Sequence, residues 1–298
     1  MAAPANIVNA AAVNASLDVE VLRNFRGQYD RLAEILGIFS PEVVAAGTAI
    51  FQTQFNGTLN NTASGTGYVE GDEVALSKFG VDKVAIDPIQ LVPYRKMTTA
   101  QAILKAGHVR AVMGTDAKMI STVRAGVVSD FFGLLANGTT TAEGKGLQAA
   151  LANSVAKLGD VLENANDAAG RVVTFMNRQD AADYLGTATI TNQDVFGMTY
   201  LENFLGATNV FLTSKVPAGT IYTTAAENIH AYAIDFGGLG EAGMPYAVDE
   251  SGIIGVSHQP AYDHVSVETN IIRGVRFVPE MKDYIVKTTI KKAAGAAA

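Results

Sequence analysis

The chain has 298 residues, of which 48% are hydrophobic and 17% are charged, and its formal net charge is -7. This negative balance excludes a general nucleic-acid binder, because phosphate contacts need an excess of lysine and arginine. There is no cysteine, which excludes disulfides and thiolate metal sites. So little charge indicates that much of the surface meets other protein. The first residues make a poor signal peptide, and no run approaches the roughly 20 apolar residues of a spanning helix, so we expect cytoplasmic synthesis and no membrane partner.

The first 45 residues combine an uncharged arm with one amphipathic helix. Residues 1–15 are mainly Ala, Asn and Val. Ser16 can cap a helix that runs to about Leu36, with apolar side chains along one side. Such a helix can belong to the core or dock on a neighbouring molecule, and its periodicity does not distinguish the two.

Residues 46–97 predict a long two-stranded excursion. Phe51, Thr53 and Phe55 alternate with polar residues, which is typical of a strand. A polar segment and a charged segment follow, and a second extended run over 81–91 is confined to an edge by Pro88 and Pro93. An isolated hairpin is marginal in water, so we expect this one to be supported by something outside its own domain, unless it folds back on its own sheet.

Residues 98–137 predict two helices in tandem. Thr98 and Gln101 have the spacing of a capping box, and the first helix fades at Gly107. The second runs from Thr115 to a cap at Asn137, a rod of roughly 33 Å. Its apolar face contains Val112, Met119, Ile120, Val123, Val127, Phe131, Leu134 and Leu135.

The remaining pattern predicts a compact lobe followed by returning strands. Residues 147–258 alternate helices with short strands. A Gly/Thr-rich loop over 137–146 is the best candidate for a domain boundary. Strands within 264–290 are expected to return beside the long helix, and the last residues look unstructured.

Glycine-rich segments give no convincing nucleotide site. Gly238, Gly240 and Gly243 spell GxGxxG, but Pro245 and strand-like residues follow where a helix should begin. Residues 138–145 resemble a phosphate loop with one residue too many, and a helix precedes them.

The titratable residues give no convincing active site either. His258, Asp263 and His264 could be drawn as a metal or acid–base group, but unpaired histidines in turns are commoner. His108 and His230 are isolated, and neither HExxH nor GxSxG spacing is present. The sequence therefore predicts no enzyme, no cofactor and no metal.

Several strings of residues resemble the major capsid proteins of tailed bacteriophages, specifically those of phages of Gram-positive hosts. They are AGTAIF at 46–51, VEGDEVALSK at 69–78, YRKMTTA at 94–100, DYLGTA at 183–188 and FGMTYLENFLG at 196–206. The last two are specific for that group. The order of elements also matches, and the resemblance covers roughly residues 45–290.

The resemblance implies an α+β fold of the HK97 capsid type. Its parts would be an N-terminal arm and helix (1–45), an extended loop (46–97), a peripheral domain with its spine helix (98–146), an axial domain (147–262), the strands of the peripheral domain (263–290) and a flexible tail (291–298).

It also implies a shell protein that assembles as hexamers and pentamers around double-stranded DNA in the virion. The acidic balance suits a container that encloses DNA without binding it specifically, and a separate scaffold protein and a portal would be further partners. We predict contacts between subunits at Glu70, Asp72, Glu73, Lys78 and Lys83. Some family members form a Lys–Asn isopeptide bond, but no Asn partner or catalytic Glu can be matched here, so crosslinking is not carried over.

Two alternatives stay open. An encapsulin nanocompartment has the same fold but holds enzyme cargo instead of a genome. A nucleotide-dependent enzyme built on Gly238 to Gly243 is the more remote alternative.

Overall fold

The computed structural model describes residues 41–45, 50–60, 76–86, 88–187, 200–204, 207–241, 243–244, 246–248 and 252–291. The predicted N-terminal arm and helix before residue 41, the wide turn of the excursion at 61–75 and the tail from 292 lie outside these residues, so those predictions stay open.

The described strands are β1 (Glu42–Val44), β2 (Ile50–Thr58), β3 (Lys78–Ile86), β4 (Val92–Thr99), β5 (Thr140–Lys145), β6 (Val172–Met176), β7 (Tyr200–Phe204), β8 (Ala207–Leu212), β9 (Thr220–Ala225), β10 (Ile229–Ile234), β11 (Ala247–Val248), β12 (Ile254–Ala261), β13 (Ser266–Arg273), β14 (Val275–Pro279) and β15 (Ile285–Lys291). The α-helices are α1 (Ala100–Ala106), α2 (Thr115–Ala136), α3 (Gly146–Ala165), α4 (Arg178–Thr187) and α5 (Gly237–Glu241). A π-helical segment, Val109–Gly114, leads into α2.

The described strands form four sheets. A mixed six-stranded sheet has the order β5-β15-β9-β6-β8-β7, and a four-stranded antiparallel sheet has the order β11-β12-β13-β4. A three-stranded sheet has the order β1-β10-β14, and β2 pairs with β3 alone. Helices and sheets are thus combined as the predicted α+β class requires.

The two tandem helices form where the sequence predicts them, but the first cap is one residue later. The hydroxyl of Thr99, not that of Thr98, accepts from the backbone N–H of Ala102. Thr98 is still part of β4, where it pairs with Val267 and is fully buried. It therefore cannot cap the helix that follows. Gly107 ends α1 at φ 81°, a conformation that favours glycine.

Helix α2 covers the main hydrophobic core with the face that the sequence predicts. Val123, Val127, Phe131 and Leu135 on α2 are buried, as is Val112 in the π-helical segment before it. The ring of Phe131 makes edge contacts with Phe132, Phe175 and Phe277, with centroids 5.1–5.5 Å apart. These aromatic residues join α2 to β6 and β14, so one cluster connects the helix to two different sheets.

The prediction of a loop at residues 137–146 is wrong. Residues Thr140–Lys145 form β5, which pairs in parallel with β15 nearly 150 residues away, from Val286 opposite Thr140 to Lys291 opposite Lys145. A strand at the edge of a sheet needs little apolar patterning. Its Gly and Thr residues therefore gave no local signal of the distant partner.

The domain ranges that the resemblance implies stay a prediction, but the two large sheets join residues from different ranges. The boundary at residue 262 falls in the turn that connects β12 to β13, which pair along their whole length. Strand β15, which the resemblance places among the strands of the peripheral domain, lies inside the six-stranded sheet between β5 and β9. The chain therefore passes more often between the two large sheets than sequence order indicated.

The helical stretch Val109–Ala136 is long and apolar enough, by length and composition, to cross a membrane. From the sequence alone we expect no such run, so the structure corrects that expectation. The core helix of a protein that never enters a membrane passes the same test. Val123, Val127 and Leu135 are buried in the core cluster, so one face of this helix is used for packing within the chain.

Gly144 marks the closest approach of β5 to α3. A Cβ atom at this position would lie 2.1 Å from the backbone nitrogen of Ala150. Because backbone cannot move aside as a side chain can, we expect Gly144→Ala to lower the free energy of unfolding by about 2 kcal/mol. Gly159 lies on α3, and a Cβ atom added there has no atom within 4 Å. Gly159→Ala should therefore raise the free energy of unfolding by up to about 1 kcal/mol. Urea unfolding measures both, and equal effects would contradict the close packing.

Candidate functional site

Within the described residues, the two-stranded ribbon of β2 and β3 stands apart from the other sheets. The strands pair antiparallel over nine positions, from Ile50 opposite Ile86 to Thr58 opposite Lys78. Nine residues of strand span about 30 Å. No other described strand pairs with the ribbon, so both of its edges present backbone groups that can bond to other molecules.

One face of the ribbon is apolar and exposed. The register places Phe51, Phe79 and Val81 on the same face. All three are exposed, and Phe79 keeps 68% of its surface accessible. At the outer end, Leu76 is 90% exposed. Exposed apolar side chains that share one face in this way mark a contact site with another molecule.

Local interactions hold the outer half of the ribbon in shape. The ring of Phe79 lies over Gly57, where an added Cβ would meet it at 2.0 Å. Asn60 donates from its backbone to the hydroxyl of Ser77 at 3.1 Å and from its side chain to the carbonyl of Leu76 at 2.7 Å. The exposed apolar face is therefore presented by an ordered strand pair.

The inner half of the ribbon borders the body of the chain. Thr53 lines a groove with Leu162 and Tyr284, and Ile86 lines a second groove with Phe277. On either side of the ribbon the chain joins a different sheet: β1 pairs with β10, and β4 pairs with β13. The ribbon thus has a fixed base, while the segment beyond Asn56 projects.

The five predicted contact residues fall into two groups. Glu70, Asp72 and Glu73 lie outside the described residues. Lys78 and Lys83 are exposed on β3 and point to opposite faces of the ribbon. Lys83 shares the face of Phe79 and Val81, so it is the predicted contact residue that the described structure places on the apolar face.

The three residues that could be drawn as a metal or acid–base group, His258, Asp263 and His264, do not come together. His264 lies beside Asp263, with Nε2 3.3 Å from Oδ2, but His258 instead contacts Asp116 on α2, with 2.8 Å between Nε2 and Oδ2. Among the described residues no group of three metal-ligating side chains is found.

Sequence reasoning missed a buried charged cluster between α2 and the four-stranded sheet. Lys96 on β4 donates to Thr115 and Asp116 and, at 3.4 Å, to the carbonyl of Val112. Burial would raise the pKa of Asp116, but the hydrogen bonds from Lys96 and His258 outweigh it and hold the pKa below its usual value. This cluster fixes the point where the π-helical segment becomes α2, and its partners are too far apart in sequence to be recognised there.

The glycine-rich segment forms a short helix, α5, which the sequence analysis did not expect. The carboxylate of Asp235 accepts from the backbone N–H of Gly237 at 2.8 Å, at the start of that helix. The N–H that a phosphate would need is thus already bonded to a negative group. The preceding strand, β10, belongs to the three-stranded sheet with β1 and β14, which is not the doubly wound sheet of dinucleotide-binding proteins.

No protein family's sequence profile matches the chain, and no curated protein is similar to it. Solved structures are similar in fold. A protein of Mycobacterium phage Che8 is 12% identical, with a TM-score of 0.60 over 92% of this chain and 96% of that one. The capsid of cyanophage A-1(L) is 13% identical, with a TM-score of 0.56 over 94% of this chain and 97% of that one.

The SrpI encapsulin from Synechococcus elongatus is 11% identical, with a TM-score of 0.58 over 96% of this chain and 95% of that one. These alignments cover nearly the whole of each chain, so they include the arrangement of the sheets and not one motif. The fold that phage capsids and encapsulins share, the HK97-type capsid fold, is therefore the fold of this chain.

Proposed function

We propose that this chain is the major capsid protein of a tailed bacteriophage, and that its copies assemble as hexamers and pentamers into an icosahedral shell. The exposed apolar face of the ribbon carries the proposal. In an isolated chain Phe51, Phe79 and Val81 would remain in water, whereas a neighbouring copy would cover them and gain about 25 cal/mol for each Å² removed from water.

The mechanism is association and not catalysis. Each ribbon contact is modest, but every copy in a ring both gives and receives one, so the contacts add up by multivalency. The net charge of -7 suits a shell that encloses double-stranded DNA without binding it specifically. A separate scaffold protein, a portal and residence in the virion are further parts of this proposal.

The described sheets suggest how the chain divides into a peripheral and an axial domain. We propose that α2 and the four-stranded sheet form the peripheral domain, and that the six-stranded sheet with α3 forms the axial domain around the capsomer centre. The predicted contacts of Glu70, Asp72, Glu73, Lys78 and Lys83 remain proposals, with Lys83 the one placed on the apolar face of β3.

The test compares assembly of the purified chain with that of two ribbon variants. Val81→Glu places a charge on the apolar face, and Val84→Glu places the same charge on the opposite face of the same strand. Both valines are about half exposed, so neither change should affect folding. For the parent chain we expect electron microscopy and sedimentation to show rings or shells. The yield of these assemblies should fall at least tenfold for Val81→Glu and by a smaller factor for Val84→Glu.

Two results would contradict the proposal. One is a parent chain that stays a monomer at high concentration, with and without co-expressed phage scaffold. The other is a pair of valine variants that assemble equally well, since the apolar face would then have no role.

A thermal-shift titration with NAD or ATP tests the remote enzyme alternative, which predicts stabilisation by the nucleotide.

An encapsulin is the second candidate, because the SrpI encapsulin shares the fold over 96% of this chain. The two functions differ in what the shell contains. Particles isolated from the natural source would hold double-stranded DNA in the first case and a cargo enzyme in the second, and nuclease digestion after opening the particles distinguishes them.

A further inference from the structure

Two asparagine–glycine pairs occur in the sequence, and the structure gives them very different surroundings. They are Asn56–Gly57 on β2 and Asn137–Gly138 at the end of α2, and a threonine follows each of them. Asparagine is among the chemically labile residues. It deamidates most readily before glycine, which has no side chain to hinder the approach of its backbone nitrogen. The two pairs have nearly the same local chemistry, so a large difference in their reactivity must come from the fold.

Deamidation replaces the side-chain amide of asparagine by a carboxylate. The backbone nitrogen of the glycine attacks Cγ of the asparagine, a C–N bond forms, and the Cγ–Nδ2 bond breaks. The amide nitrogen leaves as ammonia with the proton that the glycine nitrogen gives up, and a cyclic succinimide remains. Water then opens the ring at either carbonyl carbon. Breaking the new bond gives aspartate, whereas breaking the original peptide bond gives isoaspartate, whose main chain runs through the former side chain.

The closed ribbon holds the side chain of Asn56 away from Gly57. Its Nδ2 donates to the carboxylate of Asp82 on β3. Its Oδ1 lies over Gly80, where an added Cβ would meet it at 3.0 Å. The side chain therefore extends across the partner strand, and the nitrogen of Gly57 cannot reach Cγ while this contact lasts. Asn56 and Asp82 are both exposed, so nothing but the pairing of the two strands keeps the contact in place.

The ribbon opens more easily than the core. Within the described part of the chain no third strand pairs with β2 or β3, and a lone two-stranded hairpin is marginal in water. Local opening of such an element costs much less free energy than unfolding of the core. When β2 separates from β3, Asn56 loses its contact with Asp82 and can turn its Cγ towards the nitrogen of Gly57.

The other pair, Asn137–Gly138, is held by the core. The backbone N–H of Gly138 donates to the carbonyl of Leu135 at 3.2 Å, and Leu135 is fully buried. A Cβ atom added to Gly138 would lie 2.5 Å from the backbone oxygen of Ile285, so the segment also packs closely against β15. Freeing this nitrogen requires the end of α2 to leave the core, which makes Asn137 a matched internal control for Asn56.

We propose that Asn56 is a modification site, which converts to aspartate and isoaspartate in free chains and is protected once a neighbouring copy covers the ribbon. A neighbour that binds only the paired strands lowers the population of the open ribbon. Isoaspartate lengthens the backbone of β2 by one atom, which disrupts the pairing where Phe79 covers Gly57. A converted chain is therefore excluded from assembly. The reaction itself does not need the proposed shell function, whereas the protection and the exclusion rest on it.

Peptide mapping by mass spectrometry measures both conversions while the purified, unassembled chain is kept in mildly alkaline buffer. The same measurement in urea gives the intrinsic rate of each pair. We expect Asn56 to keep at least a tenfold larger share of its intrinsic rate than Asn137. Asp82→Ala removes the contact that holds the amide, so it should speed conversion of Asn56 at least threefold and leave Asn137 unchanged. Equal shares for the two pairs, or an unchanged rate in Asp82→Ala, would overturn the proposed site.

Assembly tests the protection and the exclusion. Chains are first aged until part of Asn56 is isoaspartate, then allowed to assemble, and shells are separated from free chains by sedimentation. The isoaspartate fraction should be at least tenfold lower in the shells, and shells of fresh chains should convert Asn56 at least tenfold more slowly than free chains. Equal fractions or equal rates contradict the proposal. If the parent forms no shells, the proposed function and the protection fail together, while the rates in the free chain still decide the site.

Discussion

Truncation of Phe131 to alanine is expected to lower the free energy of unfolding by about 4 kcal/mol. Phe131 is fully buried, and its ring makes edge contacts with Phe132, Phe175 and Phe277. The substitution removes the burial of a large ring and leaves a cavity that three other rings cannot close without moving. Because Phe175 lies on β6 and Phe277 on β14, the loss loosens α2 from two sheets at once.

Urea unfolding at low protein concentration, where no assembly occurs, measures this effect. Phe131→Leu refills much of the cavity and should cost only about 1–1.5 kcal/mol. Phe51→Ala on the exposed ribbon face is the matched control, and it should change stability by less than about 1 kcal/mol. A loss below 2 kcal/mol for Phe131→Ala would show that the cavity collapses and that the cluster is not the centre of the core.

Replacing Asp116 by asparagine is expected to lower the free energy of unfolding by about 3 kcal/mol near neutral pH. Asp116 and Lys96 keep only 10% of their side-chain surface in water. The substitution removes the negative charge and leaves the Lys96 ammonium group buried without it. Asp130→Asn is the matched control on the same helix. Its partner is Arg273 at 2.8 Å, but Asp130 is 63% exposed, so the loss should stay below about 1 kcal/mol.

The effect of Asp116 should depend on pH in a defined direction. Its pKa in the folded chain lies below the ordinary value of 3.8, so the ionised form is favoured by folding. The stabilisation is therefore fully present above pH 3.8 and is lost as the pH falls through the lowered pKa. The difference in stability between the parent and Asp116→Asn should narrow in that acidic range, as measured by urea unfolding across pH.

A double replacement distinguishes the contribution of the Lys96–Asp116 ion pair from the cost of leaving one charge buried and unpaired. Lys96→Met with Asp116→Leu removes both charges and should be much less destabilising than Asp116→Asn alone, because no unpaired charge remains. A double variant that is as unstable as the single one would mean that the cluster acts through the carbonyl of Val112 and the π-helical segment, and not through the charge pair.

The long helix could be predicted from sequence because its signal is local. Val123, Val127 and Phe131 repeat at helical spacing, and Gly107 interrupts the pattern where the chain turns. The partnership of β5 with β15 could not be predicted, since it joins residues nearly 150 positions apart and β5 carries little apolar pattern. The position of β15 inside the six-stranded sheet follows from the same long-range pairing.

The candidate sites, too, could be predicted from the sequence only where their signal is local. Alternation in β2 and β3 indicated the ribbon, but which face is apolar depends on the register that places Phe79 opposite Gly57. The cluster of Lys96, Asp116 and His258 joins three separate elements, and only Asp116 in the first turn of its helix gave any local hint. A charged residue among apolar neighbours does not reveal its partners until the sheet register is known.

The two attachments of the ribbon differ in strength, which has a mechanical consequence. Strand β1 is held by three parallel pairs with β10, whereas β4 is held by eight antiparallel pairs with β13. A force that pulled on the ribbon would therefore separate β1 from β10 before it separated β4 from β13, and the ribbon would stay attached to its own chain through β4.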